Sequence, residues 1–429
     1  MAGKWRQTTL GEATDFLSGG TPSKDCVAYW GGSIPWLSAK DMKRFVLEDT
    51  EDHVTEDGLR NGTKLMPKGT VFLLTRGMTL LNDVPVSMAR CAMTFNQDVK
   101  ALRPKKGVVP EFLPYLILGQ KSRLLNLVDL AGHGTGRLNT DELKSLDVLV
   151  PSEPEQQAIA HVLGSLDDKI ELNRRMNETL EAMARALFKS WFVDFDPVRA
   201  KAEGRDPGLP KTLAELFPDS FEDSEMDEIP KGWRVGHFGD VADNPRKGVR
   251  PNEIETTTPY IALEHMPKRC IALSDWGTAA GIESGKFVFH AGEILFGKLR
   301  PYFHKVGVAP VDGVCSTDIL VVGARSQDWF GFVLGHVSSD GFVEYANAGS
   351  TGTKMPRTNW GDMAKYPLVL PTEPLARAFT ELIRPATSRI LASIHQSRTL
   401  AGLRDTLLPK LISGELRIRD AEHIMAEVT

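Results

Sequence analysis

The chain has 429 residues, of which 41% are hydrophobic and 25% are charged, so it is long enough for two or three globular domains. No window approaches 18 uncharged apolar residues, which argues against a membrane-spanning segment. The four cysteines (Cys26, Cys91, Cys270, Cys315) show neither CxxC nor paired metal spacing, and no signal-type segment opens the chain. The composition therefore predicts a cytoplasmic protein with free thiols.

The first segment, residues 1–150, is predicted to form a β-rich α+β domain. The run "GTVFLLT" at 69–75 is short, apolar and rich in β-formers, as a strand requires. Gly, Pro and Asn corners separate such runs, and "VPEFLPYLILGQKSRLLNLV" at 109–128 favours helix.

The second segment, residues 151–193, is predicted to be one long helix. Its start, "PSEPEQQAIA", places Pro and Glu in the first turn, where a missing N–H is harmless and a carboxylate favours the helix dipole. Steps of four and three residues then follow a seam through Ile159, Leu163, Leu166, Ile170, Asn173, Asn177, Leu180, Ala184, Leu187 and Trp191. Spacing sustained over more than four heptads is typical of a coiled coil.

An acidic connector, residues 194–232, follows this helix and is rich in Pro and Gly. Residues 193–230 hold 11 acidic and 4 basic side chains, so their charge is −7 while the whole chain carries −5. The remaining residues are therefore slightly basic, at +2. This balance permits a nucleic-acid-binding face but does not establish one.

The second half repeats this order, with a globular domain at 233–370, a long helix at 371–417 and a tail at 418–429. "GEILFGK" at 292–298 predicts a strand, and "DWFGFVLGHVSSDGFVEYA" at 328–346 predicts helix. Gly414 suits a helix C-cap. The second seam runs through Phe379, Ile383, Ala386, Ile390, Ser393, Ser397, Leu400, Arg404, Leu407 and Leu411.

An internal repeat accounts for this order. Residues 137–192 align with 357–412 without gaps, and 5–15, 34–42 and 67–77 align with 233–243, 258–266 and 290–300. The landmarks keep their order at shifts of 220 to 228 residues. We therefore expect an α+β protein with two similar β-rich domains joined by two long antiparallel coiled-coil helices, pseudo-twofold within one chain.

Both seams turn polar at the same two layers. If the helices pair antiparallel about their midpoints, Asn173 faces Ser397 and Asn177 faces Ser393, and this polar middle would set the register. The alternative is that each helix packs only on its own domain.

No catalytic pattern stands out. The sequence has no GxxxxGK[ST], HExxH or GxSxG, no Cys/His cluster, and no Asn-Pro-Pro-aromatic segment of the kind that amino-methyltransferases use. The Gly-rich stretches "GHGTGRL" at 132–138 and "GSTGTKM" at 349–355 are more typical of flexible loops than of cofactor loops. We therefore expect a binding protein with no catalytic residues, metal ligands or cofactor of its own.

The chain resembles the specificity (S) subunit of type I restriction-modification systems. The resemblance rests on "DDKIELNRRMNETLEAMARALFKSWFVDFDPVRAKAEGR" at 167–205, on "IPKGW" at 229–233, and above all on "SWFVDFDP" at 190–197. It covers essentially the whole chain and is strongest at 148–233 and 366–417. It implies that 1–150 and 231–370 are target recognition domains.

The resemblance also implies partners. Two modification (M) subunits would use S-adenosylmethionine to methylate adenine N6, and two restriction (R) subunits, which use ATP and Mg²⁺, can join. Each recognition domain would read one half of a split, asymmetric DNA target, and the paired helices would set the gap. Two alternatives stay open: a coiled-coil scaffold or adaptor that binds proteins, and a stand-alone DNA-binding regulator.

Residues for DNA recognition are chosen by chemistry, because Arg, Lys, Asn and Gln read base edges best. The candidates are Lys40, Arg76 and Arg137 in the first domain and Lys298, Arg300, Lys354 and Arg357 in the second. Tyr302 and His304 are weaker candidates. For a partner protein, the aromatic cluster at the end of the first helix offers Phe188, Trp191 and Phe192. Packing of these rings against the adjacent recognition domain is the alternative.

Overall fold

The computed structural model describes residues 5–131, 134–352 and 354–428. The chain divides into two compact units, the first comprising residues 1–171 with 400–429, and the second comprising residues 172–399. Each unit holds one β-rich domain together with segments of two long helices. No helix in the described part of the chain is long and apolar enough to cross a membrane.

The described residues of the first unit's domain form thirteen short strands and five short helices. The strands are β1 (Arg6–Thr9), β2 (Thr14–Ser18), β3 (Trp30–Leu37), β4 (Val46–Leu47), β5 (Asp52–Val54), β6 (Val71–Leu74), β7 (Arg76–Gly77), β8 (Val86–Ala89), β9 (Thr94–Phe95), β10 (Val99–Pro104), β11 (Val128–Ala131), β12 (Thr135–Leu138) and β13 (Asp147–Val150). The helices are α1 (Leu10–Ala13), α2 (Glu56–Arg60), α3 (Leu113–Leu118), α4 (Lys121–Asn126) and α5 (Thr140–Ser145).

The long helix α6 (Glu153–Phe192) leads into a segment with its own secondary structure. This segment contains α7 (Asp196–Ala202), α8 (Lys211–Ala214) and the hairpin of β14 (Phe221–Ser224) with β15 (Asp227–Pro230). Phe217 is buried, and its ring lies 5.1 Å from that of Trp191. The predicted acidic connector is therefore a folded part of the second unit.

Eleven strands and four short helices are found in the part of the second unit's domain that the structure describes. The strands are β16 (Arg234–His237), β17 (Ala242–Asp243), β18 (Gly248–Val249), β19 (Pro259–Ile261), β20 (Gly277–Thr278), β21 (Lys286–Phe289), β22 (Ile294–Gly297), β23 (Val306–Val308), β24 (Gly313–Cys315), β25 (Ile319–Ala324) and β26 (Pro367–Leu370). The helices are α9 (Phe238–Val241), α10 (Phe330–Val337), α11 (Asp340–Ala348) and α12 (Trp360–Met363).

The second long helix is α13 (Glu373–Ser413), and α14 (Ile418–Val428) follows it. The sequence-based reading of 418–429 as a tail did not include a helix there. Ala421 is fully buried, and Leu416 and Met425 pack against the core of the first unit. The apolar face of α14 thus belongs to that core.

The two domains share the topology of their main sheets. The order β2-β10-β6-β8 in the first corresponds to β17-β25-β22-β23 in the second. In both, the entry strand pairs with the exit strand, as β1 with β13 and β16 with β26. In both, one strand has an antiparallel and a parallel neighbour: β3 between β5 and β9, and β19 between β20 and β24.

Structurally equivalent positions in the two domains are separated by the residue offsets of the internal repeat. The parallel pair Leu37↔Phe95 in the first domain corresponds to Ile261↔Cys315 in the second, which is the alignment of 34–42 with 258–266. Asn139 and Asn359 each cap the short helix that follows, α5 or α12, by accepting from a backbone N–H. The predicted fold class, two similar β-rich domains with two long helices, is confirmed.

The long helices run antiparallel. In the first unit Asp167 of α6 pairs with Arg404 of α13, and in the second unit Asn173 pairs with Ser397. Residues further toward the carboxyl end of α6 therefore pair with residues nearer the amino end of α13. The seam residues Leu163, Leu166, Leu407 and Leu411 are buried in the core of the first unit, and the apolar stripe of each helix is therefore used as the heptads predict.

Candidate nucleic-acid interface

A rigid turn between β9 and β10 organises one edge of the first domain. The side chain of Asn96 accepts a hydrogen bond from the backbone N–H of Asp98 at 3.1 Å. The carbonyl of Asp98 accepts from the backbone N–H groups of Thr75 at 2.8 Å and Arg76 at 3.2 Å. The turn and the start of β7 are therefore held together by main-chain hydrogen bonds.

Two predicted DNA-binding residues meet beside this turn. Arg76 on β7 lies directly opposite Arg137 on β12, and both side chains are exposed. Asp129 on β11 is the neighbour of Arg137 on the other side. Within the described residues, neither arginine forms an ion pair. Arg137 therefore lies between a like charge on β7 and an opposite charge on β11, and the exposed guanidinium of Arg76 can accept an anionic ligand.

An exposed glutamine completes the edge. The Thr21 hydroxyl donates a hydrogen bond of 2.6 Å to Oε1 of Gln97, the central residue of the turn. We call Thr21, Arg76, Gln97 and Arg137 the first rim. Sequence reasoning chose the arginines but missed Gln97 and Thr21; the available signal was the "NQD" turn, in which an amide stands between two turn-forming residues.

Lys40 has internal partners. Its ammonium lies 2.8 Å from Asp52 and 3.3 Å from Glu51. The hydrogen bond to Asp52 is the main reason that the pKa of Lys40 is raised. Both acids compete with phosphate for this charge. The role of Lys40 in DNA binding stays a prediction.

The equivalent edge of the second domain carries different chemistry. Asp318, at the position of Asp98, accepts a backbone hydrogen bond from Lys298 at 2.9 Å through its carbonyl. Its carboxylate, however, pairs with Nε of Arg357 at 3.1 Å. Arg357 occupies the position of Arg137, so one domain neutralises an arginine that the other leaves without an acidic partner among the described residues.

The remaining second-domain candidates lie around this edge. Arg300 adopts a left-handed backbone with φ of 52°, and its N–H donates to the carbonyl of Pro356 at 2.7 Å. Its Nε is buried and has no hydrogen-bond partner within the described residues. Lys354 is exposed, in the loop closed by the pairing of Thr351 with Arg357. We call Lys298, Arg300, Lys354 and Arg357 the second rim.

The two weaker candidates, Tyr302 and His304, differ in exposure. Tyr302 is half exposed, whereas His304 is buried, and its Nε2 lies 2.9 Å from the carbonyl of Ser338. Of the two Gly-rich stretches, Gly132, His133 and Thr353 lie outside the described residues.

The structure also shows exposed basic residues that the sequence analysis did not choose. Arg246, Lys247 and Arg250 are exposed in the segment from β17 to the residue after β18. Arg246 lies over the ring of Phe287, with 5.7 Å from its guanidinium carbon to the ring centroid.

The polar layers of the two long helices differ from each other. Asn173 is buried, and its amide donates to Ser397 at 3.2 Å and to Gln396 at 2.9 Å. The pair of Asn173 with Ser397 is the one that antiparallel midpoints predict. Asn177 is also buried, but the hydroxyl of Ser393 donates to its own helix, to the carbonyl of Arg389 at 2.8 Å. That layer has no direct hydrogen bond between its predicted partners.

A buried polar cluster holds the helices together in the first unit. Asp167 accepts from Arg404 at 2.6 Å and from the hydroxyl of Tyr115, on α3, at 2.9 Å. Burial raises the pKa of the Asp167 carboxyl, and the guanidinium of Arg404 opposes that rise. The cluster ties the domain of the first unit to both helices.

The aromatic cluster at the end of α6 is not on a surface. Phe188, Trp191 and Phe192 are 3%, 1% and 4% exposed and lie in the core of the second unit. Phe188 lies above α10, where a Cβ at Gly335 would come within 2.1 Å of its ring. The rings therefore pack against the adjacent recognition domain, which was the alternative to partner binding in the sequence analysis. They are not accessible to a partner protein.

Residues 3–182 match the family of the type I restriction modification DNA specificity domain. The Type I restriction enzyme MjaIX specificity subunit of Methanocaldococcus jannaschii is 29% identical over 435 residues, which cover 97% of this chain and 94% of that protein. The EcoR124I/EcoR124II specificity subunit of Escherichia coli is 33% identical over 166 residues, 38% of this chain and 41% of that protein.

Among solved structures, the S subunit of a type I restriction-modification system from M. genitalium is similar in fold. The two chains share 15% sequence identity with a TM-score of 0.55, and the match covers 95% of this chain and 96% of that one.

Proposed function

We propose that this chain, which belongs to the family of type I restriction-modification specificity subunits, gives a DNA-modifying complex its sequence preference. Each recognition domain binds one half of a split, asymmetric duplex target. The observation that carries this proposal is the pair of equivalent rims on one repeated topology. They stand on the same turn but present different side chains, as two unlike half-sites require.

The charge of the rims supports a nucleic-acid ligand. The arginine pair of the first rim and the basic residues of the second are suited to phosphates and guanine edges. A phosphate beside Arg76 would reduce the repulsion between the two guanidinium groups on the side of Arg137 that Asp129 does not occupy. DNA is therefore the ligand that best fits both rims.

The paired helices are proposed to have two tasks. Their length and antiparallel packing suit a spacer that fixes the unread gap between half-sites, and their outer faces dock two M subunits. The M subunits would bring S-adenosylmethionine and the methyl-transfer chemistry. Two R subunits, with ATP and Mg²⁺, can join the same complex.

The test is co-expression of the chain with a type I M subunit, followed by sequencing of methylated adenines in the host DNA. A split motif that disappears when this gene alone is deleted would support the proposal. A double variant with Arg76→Glu and Arg137→Glu should abolish methylation of that motif, because it reverses two charges of the first rim. Methylation that is unchanged after deletion of the gene would overturn the proposal.

A further inference from the structure

We propose that Gln97 is a base-reading residue of the first half-site and that Thr21 sets its orientation. Gln97 would act as a hydrogen-bond donor toward a base edge. This inference rests on the proposed function, because it assigns a residue within the DNA interface of the first domain. The observation behind it is the 2.6 Å hydrogen bond from Thr21 to Oε1 of Gln97 at an exposed turn.

The hydrogen bond decides which end of the amide faces a ligand. Oε1 accepts from Thr21, so the Nε2 group, which can only donate, is left to meet DNA. A donor of this kind suits the major-groove acceptors: N7 of either purine, O6 of guanine and O4 of thymine. It does not suit the N4 amino group of cytosine, which is itself a donor.

The backbone around Thr21 and Gln97 is constrained by main-chain contacts. A Cβ at Gly19 would lie 2.1 Å from the carbonyl of Phe95, and one at Gly20 would lie 2.2 Å from that of Gly62. Glycine at position 19 therefore lets the Thr21 segment approach the end of β9, and glycine at position 20 lets it approach the loop after α2. The N–H of Gly20 donates to that Phe95 carbonyl at 2.9 Å, so Thr21 reaches Gln97 without a change in the main chain.

The charged side chains near Gln97 indicate that it lies in a binding interface. Arg76 follows Thr75, whose N–H is bonded to the residue after Gln97, and Arg137 lies across from Arg76. A phosphate held by these arginines would fix the register of a duplex, and Gln97 would then meet one base pair. Phosphate contacts supply affinity, and the amide supplies sequence preference.

The second domain shows that this turn changes chemistry between half-sites. Thr317 stands at the position of Gln97, and Asp318 beside it pairs with Arg357. A hydroxyl thus replaces the amide at this position. The turn itself is retained, since the N–H of Asp318 is bonded to the Ser316 side chain as that of Asp98 is bonded to Asn96, and a changed side chain on a retained turn is expected for a specificity position.

The experiment uses the full chain with its M subunit and reads the methylated sequence of both half-sites. Gln97→Ala should relax one position of the first half-site by roughly 5- to 150-fold in relative methylation, the range for loss of a good base contact. Thr21→Val keeps the side-chain shape and should relax the same position, because the amide is then free to turn over. Gln97→Glu should disfavour acceptor edges at that position.

The second half-site is the internal control, since no variant touches that domain. Gln7→Ala, an exposed glutamine on β1, is the matched control and should leave both half-sites unchanged. If Gln97→Ala retains methylation with an unaltered first half-site, the assignment of Gln97 is overturned while the proposed function stands. If the unmodified complex methylates no split sequence, the proposed function itself fails.

Discussion

His336 is an ionisable residue enclosed by rings in the second unit. Its ring centroid lies 4.4 Å from Phe332, 4.8 Å from Phe188 and 6.1 Å from Tyr366, and its Nε2 has no hydrogen-bond partner within the described residues. Burial lowers the pKa of His336 to about 3. The imidazole is therefore neutral in the folded protein at any pH near neutrality.

This histidine predicts acid sensitivity. The pKa of His336 is lower in the folded than in the unfolded protein. Its contribution to the free energy of unfolding is therefore complete above about pH 6.5 and is lost as the pH falls toward 3. Between pH 7 and pH 5 we expect the free energy of unfolding to fall by about 2 kcal/mol on this account. His336→Leu should remove that part of the loss, as measured by urea unfolding at the two pH values.

His161→Gln serves as the control for this effect. His161 is exposed on α6, so His161→Gln removes an imidazole without disturbing a buried cluster, and its unfolding at the two pH values is compared with that of His336→Leu. A loss of stability as large in His336→Leu as in the unmodified protein would show that another group causes it.

At the residue scale, the sequence predicts chemistry better than it predicts partners. The structure brings Arg76 and Arg137 together as exposed cations on one edge, and their role with DNA stays a prediction. The acids that pair with Lys40 and Arg357 could not be assigned, because only the folded chain brings Asp52 to Lys40 and Asp318 to Arg357. Charge is visible in a sequence, whereas its neutralisation by distant residues is not.

At the scale of elements, the Asn173 layer can be tested against its neighbour in sequence. Asn173 is buried and donates two hydrogen bonds to α13, so Asn173→Ala should lower the free energy of unfolding by about 1–3 kcal/mol. Leu172 is exposed on the same turn, and Leu172→Ala should change stability by less than about 0.5 kcal/mol. The measurement is urea unfolding followed by far-ultraviolet circular dichroism.

Equal effects of the two substitutions would contradict this account of the layer. The same comparison at Asn177, whose predicted partner Ser393 bonds to its own helix, should give a smaller loss than at Asn173. The two polar layers, alike in sequence, would then differ in energy.

The elements divide into those that the sequence predicts and those that it does not. Heptads define α6 and α13 because a buried stripe over forty residues leaves a long periodic signal. The hairpin of β14 with β15 has no such signal, since half of its strand side chains are acidic and exposed. Its order depends instead on contacts such as that of Phe221 with the core of the second unit, which only the folded unit reveals.

At the scale of the whole molecule, the first unit is built from two distant parts of the chain. Leu407, Leu411, Ile412 and Ala421 are buried in the core that also contains Phe72 and Leu163. A chain that stops after residue 399 should therefore lose amide protection in residues 5–131 and retain it in the domain that begins at Trp233. Hydrogen exchange followed by mass spectrometry of both regions would measure this difference.

A shorter truncation supplies the comparison. Removal of residues 418–429 deletes α14 but leaves the buried part of α13, so protection of the first domain should fall less. Uniform loss of protection across both domains would contradict the division into two units.

This division has a consequence for how the protein is made. Residues 172–399 leave the ribosome as one uninterrupted stretch, whereas the amino-terminal domain waits for residues 400–429 before its core is complete. At ordinary translation speeds that delay is about 10–50 s. The half of the nascent chain that emerges first is thus the last to mature, and its uncovered apolar surface is where chaperones would bind.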